Sequence, residues 1–334
     1  MKLIITESTT KWGETIKDSL KNIHGNLSVD IVRPELVRFG NGEGKCVITD
    51  DIRGDDIYIL SDPNNYSVKY TGRDGVHCLS PDEHIQDLKR IISALGNKAK
   101  SINIVMPMLY QSRQDKRHGL ESLDCAMFLR EMEWYGVRQI ITFDLHNPAV
   151  VNASPFRMNL LNVPMEDQFI RTIKNNKEMN LDKLFVVAPD NGARNRARTI
   201  AESLGVKCGF FDKRRNYSTV KDGKNPIMSH VFNGPDDLSG YDVVVVDDMI
   251  ASGDSLLSTA KALRERNASK VFFFTTFALF TNGVERFREA HAEKLFNRLF
   301  TTDLSYVADG CDSLEFIKTI DCADLIAETI IENM

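Results

Sequence analysis

The sequence predicts an α/β protein made of two tandem halves, each a mainly parallel sheet flanked by helices. Three observations lead there. Short apolar runs of strand character alternate with longer runs of helical periodicity, the pattern of a parallel sheet crossed over by helices. The alternation begins again after about residue 180. At 334 residues the chain exceeds what one core usually serves and suits two domains of ordinary size.

In the first half, strands expected at 57–60, 102–106 and 140–143 alternate with helices expected near 83–95 and 122–135. In the second, strands are expected at 184–188, 208–211, 243–246 and 271–277, with helices near 193–204, 255–266 and 321–332. The valines Val243, Val244, Val245 and Val246 are too apolar for a half-exposed strand and suit a central one covered on both faces. A join around 150–165 contains Pro155 and Pro164, lacks strong helical periodicity and is not of low complexity. The expected domains are therefore 1–160 and 161–334, packed closely, with the last helix returning to the N-terminal half. Between two strand runs, Lys221-Asp222-Gly223-Lys224-Asn225-Pro226-Ile227-Met228 carries Gly and Pro turn signals and predicts a hairpin or mobile loop.

Composition excludes several classes of function. The 42 basic and 47 acidic side chains leave a formal net charge of −5, so no global basic field argues for nucleic acid. No apolar run approaches the roughly 20 residues of a membrane helix. The start, acidic by Glu7, is too short for a signal peptide, so the expected location is cytoplasmic with no membrane partner. The six cysteines are scattered without a Cys-x-x-Cys pair, which points to reduced packing residues rather than zinc or a disulfide framework.

The most informative segment runs from Tyr241 through Asp247, Asp248, Met249, Ile250, Ala251, Ser252, Gly253 and Asp254 to Ser255. It reads as buried strand, acidic pair, small polar loop and helix start. Ligands of parallel sheets collect at the carboxyl ends of the strands, where Asp247 and Asp248 fall. Adjacent carboxylates accept hydrogen bonds well from a vicinal diol, as in a ribose. The backbone N–H groups of 251–255, with the amino end of the following helix, can cup a phosphate. A ribose 5-phosphate site would look like this. An ordinary buried strand whose acidic end caps the next helix would look the same.

Five further runs bear on the choice. Met106-Pro-Met-Leu-Tyr110-Gln-Ser-Arg113-Gln114-Asp115-Lys116-Arg117 follows a strand, so its cations project at the carboxyl edge; basic loop residues are also commonly just solvated surface. Ile140-Ile-Thr-Phe-Asp144-Leu-His146 ends a strand in a carboxylate and an imidazole. Val186-Val-Ala-Pro189-Asp190-Asn-Gly192 ends another in a carboxylate and a Gly-containing turn, equally a helix cap. Phe210-Phe211-Asp212-Lys213-Arg214-Arg215 sets three cations in a row on an expected loop. Phe39-Gly-Asn41-Gly-Glu43 is a Gly-rich turn.

Together these runs resemble, in order and spacing over nearly the whole chain, the ribose-phosphate pyrophosphokinases, the synthetases of phosphoribosyl pyrophosphate (PRPP). The segment 241–255 is also shared with type I phosphoribosyltransferases, but the Arg113-Gln114-Asp115 run is not. The resemblance implies two tandem type I phosphoribosyltransferase-like domains, ATP on the N-terminal side and ribose 5-phosphate on the C-terminal side. It implies transfer of the diphosphoryl group of ATP to the anomeric hydroxyl of ribose 5-phosphate, giving PRPP and AMP. It assigns catalysis to Lys213 and Arg215, and ATP binding to Phe39, Asn41, Glu43, Arg113, Gln114, Asp115 and His146. Ribose 5-phosphate falls to Asp247, Asp248, Ala251, Ser252, Gly253, Asp254 and Ser255, and Mg2+ to His146 at the nucleotide and Asp190 near the ribose hydroxyls. A dimer-built homo-oligomer, up to a hexamer, is implied as well.

The chain departs from the pattern at particular positions. Ala251 removes a carboxylate beside the ribose, and Asp254 stands where glycine would let the backbone approach phosphate. An inward Asp254 about 5 Å from one phosphate charge would be repelled by roughly 3 kcal/mol at an effective dielectric near 20, so it is expected to point outward and cap the helix. Asn41 replaces an aspartate, and His118-Gly-Leu-Glu121 replaces a Ser-Arg-x-Pro continuation. The rival readings are a non-catalytic regulatory homologue, a phosphoribosyltransferase and a ribose-phosphate sensor.

Overall fold

The computed structural model describes residues 1–117, 119–215 and 227–334, with the backbone alone at Lys11, Ala153, Lys213 to Arg215, 227–230 and Asp312. In chain order the elements begin β1 (Lys2–Ile4), α1 (Thr10–Ile23), β2 (Asp30–Val32), β3 (Glu35–Arg38), β4 (Gly44–Val47), β5 (Asp56–Leu60), β6 (Lys69–Gly72) and β7 (Gly75–Cys78). They continue with α2 (Pro81–Leu95), β8 (Ser101–Val105), α3 (Asp124–Trp134), β9 (Gln139–Phe143), β10 (Asn159–Val163), α4 (Glu166–Asn175), β11 (Leu184–Ala188), α5 (Arg194–Leu204) and β12 (Lys207–Arg215). The remainder is β13 (Ile227–Asn233), β14 (Asp242–Ile250), α6 (Asp254–Arg264), β15 (Lys270–Ala278), α7 (Glu285–Ala292), β16 (Arg298–Thr302), β17 (Ile317–Ile320) and α8 (Ala323–Glu332).

The chain divides into two compact units. The first comprises Met1–Pro164, Asp303–Tyr306 and Asp321–Met334. Its sheet has the order β10-β9-β8-β5-β1-β2 with every pairing parallel. The strands are apolar because helices cover them: Ile85, Leu88 and Ile92 of α2 and Phe128, Leu129 and Met132 of α3 share one buried cluster with Ile57, Ile104 and Ile140. Helix α2 starts where it does because Ser80 and Glu83 cap each other's backbone N–H groups and Pro81 opens the first turn. Helix α8 packs against α1. Two antiparallel hairpins, β3-β4 and β6-β7, complete the unit.

The second unit comprises Met165–Thr302 and Val307–Ile320. Its sheet has the order β13-β12-β11-β14-β15-β16-β17, parallel except where β13 runs back along β12. Strand β14 is central, and Val243 to Val246 are fully buried on it. It runs four residues past the expected 243–246 because β15 stays paired with it through Met249↔Phe277 and Ile250↔Ala278. No disulfide joins any of the six cysteines.

One expectation is corrected in this unit. Asp212 to Arg215 were expected on a loop, yet β12 continues through Arg215, with Asp212 opposite Val231 and Lys213 opposite His230. Antiparallel pairing to the edge strand β13 gives that backbone its hydrogen bonds, which a row of like charges does not forbid. Of the hairpin or loop expected at 221–228, positions 221–226 lie outside the described residues, and Ile227 and Met228 open β13.

The first unit is also tied together by a buried carboxylate. Asp62, 5% exposed, accepts from Ser305 Oγ at 2.9 Å, the Tyr306 N–H at 2.7 Å and the Asn64 N–H at 3.1 Å. Burial outweighs these bonds and pushes its carboxyl up to about 6. A carboxyl whose folded value is raised contributes its stability fully below the ordinary carboxylate range and loses it as pH rises through about 6. For a rise of this size the whole contribution is about 3 kcal/mol, of which about 1 kcal/mol is already lost at pH 4.5. In urea unfolding the stability gap between the wild type and Asp62→Asn should therefore shift by about 2 kcal/mol in the variant's favour between pH 4.5 and pH 7.5. A gap unchanged between the two pH values would contradict this assignment.

Candidate active site

In the second unit the buried valines of β14 lead straight to Asp247 and Asp248, the latter 6% exposed. Asp247 Oδ1 accepts the Asp248 N–H at 3.0 Å. Burial, then the neighbouring carboxylates of Asp248 and Asp190, hold the Asp247 carboxyl well above the usual range, against a smaller opposing pull from Arg196 on α5. Three carboxylates and one guanidinium thus share one end of the sheet. Asp190 Oδ1 closes its own turn by accepting the N–H groups of Gly192 at 2.9 Å and Ala193 at 3.3 Å.

The loop after the acidic pair is pinned from both sides. The Leu279 N–H bonds to Ile250 O at 2.9 Å and the Thr281 N–H to Ala251 O at 3.0 Å, which anchors the loop to the end of β15. Gly253 has φ +80°, and a Cβ there would lie 2.5 Å from the Phe287 ring, so both backbone conformation and space require glycine. Gly253 also precedes α6, whose first backbone N–H groups have no intrahelical acceptor by the nature of a helix start. Ala251, Ser252, Asp254 and Ser255 are partly exposed around it. This geometry presents amide donors beside a carboxylate pair, an arrangement able to take a phosphate and a neighbouring diol together.

Asp254 departs from its expected role. The position before α6 belongs to Gly253, and Asp254 does not cap the helix. Its carboxylate instead accepts from Ser252 Oγ at 2.8 Å and from Arg286 Nη1 at 2.6 Å. Sequence reasoning missed Arg286, which lies 32 positions away on α7 and sits in no local motif. It likewise missed Arg196, whose helix follows the Asp190 turn.

In the first unit, the residues at the ends of β8 and β9 are brought together. Asn147 Nδ2 donates to Asp115 Oδ2, joining the two loops. Gln114 Nε2 donates to Lys116 O at 3.2 Å and Ser122 O at 3.0 Å, which folds the basic run back on itself and leaves Arg113 exposed. Gln111 and Asp144 adopt left-handed backbone conformations, with φ 58° and 46°. Such conformations cost on the order of 1–3 kcal/mol for a non-glycine residue and cluster at functional sites. The turn at Asp144 is held by its N–H to Val163 O at 2.9 Å and by the Leu145 N–H to Asn162 Oδ1 at 3.0 Å, and it delivers His146 to solvent. Asn162 and Asn147 are braces that only the fold reveals.

Phe39, Asn41 and Glu43 lie on the tip of the β3-β4 hairpin. Phe39 is 46% exposed, while Asn41 Nδ2 donates to Glu43 Oε2 at 2.8 Å. Lys213 and Arg215 lie on the backbone of β12. Among the described residues no three His, Cys, Asp or Glu side chains converge to hold a metal on their own. The carboxylates at the end of β14 still suit a hard cation that keeps its waters and brings phosphate ligands with it.

Comparisons with known proteins agree with this architecture. The family profile described as the N-terminal domain of ribose phosphate pyrophosphokinase matches residues 1–136, and that of the phosphoribosyl transferase domain matches 165–309. A ribose-phosphate pyrophosphokinase of Ralstonia nicotianae is 26% identical over 309 residues, covering 91% of this chain and 88% of its own. That of Bacillus subtilis is 27% identical over 318 residues, covering 93% and 89%. The crystal structure of phosphoribosylpyrophosphate synthetase from Mycobacterium smegmatis superposes with a TM-score of 0.76 at 20% identity, covering 100% of this chain and 99% of that one. Two domain profiles in tandem, relatives matched along nearly their whole length and a shared fold agree: the chain belongs to the ribose-phosphate pyrophosphokinase family.

Proposed function

We propose that this protein transfers the diphosphoryl group of ATP to the anomeric hydroxyl of ribose 5-phosphate, releasing AMP and PRPP for nucleotide biosynthesis. The observation that carries the reading is the run from Asp247 to Ser255, where a carboxylate pair at the end of a buried strand, Asp248 buried and Asp247 partly exposed, leads directly into a loop and helix start presenting backbone amides. Asp247 and Asp248 accept from the ribose 2- and 3-hydroxyls, and the amides of the loop take the 5-phosphate. The sugar is thereby held with its anomeric hydroxyl fixed in direction.

In the transfer a bond forms between the anomeric oxygen and the β-phosphorus. The bond from that phosphorus to the oxygen shared with the α-phosphate breaks, AMP leaves with that oxygen, and the hydroxyl proton is released. Such a step demands placement and neutralisation of spreading charge more than covalent help from the protein. Lys213 and Arg215 take the charge on the transferred group, with Arg113 beside the polyphosphate. Phe39, Asn41 and Glu43 receive the adenine, and Gln114, Asp115 and His146 complete the nucleotide side. His146 would hold a Mg2+ at the nucleotide and Asp190 a second near the ribose hydroxyls, where such ions would supply Lewis-acid neutralisation of the phosphate charge.

A dimer-built homo-oligomer is part of this reading. Met127 and Trp134 lie seven residues apart on α3 and are 62% and 80% exposed, an apolar stripe on one helix face that a second copy would cover.

Purified protein given ATP, magnesium and ribose 5-phosphate should form AMP and PRPP in equal amounts; ADP as the nucleotide product would refute the reading. Lys213→Ala should lower turnover by about 10²–10³ while leaving ATP affinity little changed. Weaker ATP binding at unchanged turnover would remove that role from Lys213. Light scattering should give a multimeric mass for the wild type and a smaller one for Met127→Glu/Trp134→Glu; a monomeric wild type would reject the assembly.

A further inference from the structure

The loop proposed to hold the 5-phosphate carries a negative charge of its own. Asp254 is the first residue of α6, at the position where the resembling family has glycine. A carboxylate beside a bound phosphate repels it, and the dielectric near a protein surface weakens that repulsion only in part. The structure contains a compensation from elsewhere in the chain. Arg286 Nη1 donates to Asp254 Oδ1 at 2.6 Å and lies 3.3 Å from Ser252 O, so one nitrogen engages both the carboxylate and the loop backbone. Ser252 Oγ donates to the other carboxylate oxygen at 2.8 Å. Both oxygens of Asp254 are thereby drawn onto protein donors.

The register of this contact is set by packing. Arg286 and Phe287 are neighbours in the first turn of α7, and Phe287 is the side chain that fills the space above Gly253. Two consecutive residues of α7 thus meet two consecutive residues of the loop, 287 against 253 and 286 against 254. Arg286 is held in place by a buried aromatic contact one residue away, although its own side chain is about half exposed at 47%. A guanidinium carries three further N–H donors on Nε and Nη2, so neutralising Asp254 does not exhaust it.

We propose that Arg286 is a positioning residue for the sugar phosphate: it neutralises Asp254 and fixes the loop carbonyl, so that the pair replaces the glycine of the resembling family without loss of 5-phosphate affinity. The inference rests on the reading of 251–255 as the 5-phosphate loop. It treats Asp254 and Arg286 as one unit, each harmful or unnecessary without the other. Loss of the arginine exposes the phosphate to an uncompensated carboxylate. Loss of both removes the need for either.

The test is calorimetric titration of ribose 5-phosphate into the full-length protein with magnesium and α,β-methylene-ATP, whose α–β linkage does not break. It compares the wild type, Arg286→Gln, Asp254→Gly and Asp254→Gly/Arg286→Gln. Arg286→Gln should weaken ribose 5-phosphate binding by about tenfold, and the double variant should return to within about twofold of the wild type. Arg286→Lys, which keeps the charge without the fork, should fall between. A merely structural arginine would lower thermal stability without this rescue. Binding by Arg286→Gln within twofold of the wild type, or a double variant as weak as Arg286→Gln, overturns the proposal. Product analysis separates the two claims. The predicted affinity pattern in an enzyme that forms no AMP from ATP would refute diphosphoryl transfer and support the pair, whereas AMP formation with unaltered Arg286→Gln affinity would do the reverse.

Discussion

The organising constraint of the second unit is electrostatic. A strand buried on both faces ends in two adjacent carboxylates, with a third from the neighbouring strand end close enough to raise the pKa of Asp247. Unrelieved like charges in such a place are costly, and proteins keep them only when something offsets them. Arg196 offsets part of the load from the protein side. Hydroxyl donors from a sugar and a hydrated cation brought by a polyphosphate would offset the rest. This is why the acidic pair is better explained by a ligand than by a helix cap, and the observation that Gly253, not an aspartate, precedes α6 agrees.

Much of this was legible in the sequence, because the residues that make the chemistry are contiguous. Parallel strands present their carboxyl ends along one edge, so a strand-to-helix segment such as 241–255 carries its carboxylates, its turn and its amide donors in one reading frame. The central strands and the helices α2, α3, α5, α6 and α8 followed from apolar runs and period, whereas β1, α1, β10, α4 and β16, which also bury core residues, were not anticipated. What stayed hidden was long-range. Arg286 meets Asp254 only because α7 packs back over the loop, and nothing in either segment signals the other. Asn147 and Asn162, which brace the loops after β8 and β9, are ordinary loop or strand residues until the sheet aligns them. The extension of β12 through Arg215 was missed because a run of cations has no strand period and nothing in it signals its pairing partner β13.

The departures from the family pattern also take on a different meaning once the structure is in view. Read alone, Asp254 is a defect in a phosphate loop. With Arg286 in place it is half of a neutral pair, which leaves the non-catalytic reading with less to stand on. Under the proposed reading Ala251 leaves the ribose one carboxylate short of the family pattern, so that Asp247 and Asp248 would carry the diol. Nothing in the structure explains Asn41 replacing the family's aspartate beyond its bond to Glu43.

Diphosphoryl transfer requires that two phosphoryl groups move together and that the bond change occurs at the β-phosphorus. Following ATP labelled at its β-phosphate by 31P NMR tests it most directly. The label should leave the nucleotide and appear, still joined to the former γ-phosphate, on the anomeric oxygen of the sugar, with AMP released. Label retained in ADP, with a single phosphoryl group on the sugar, would contradict it.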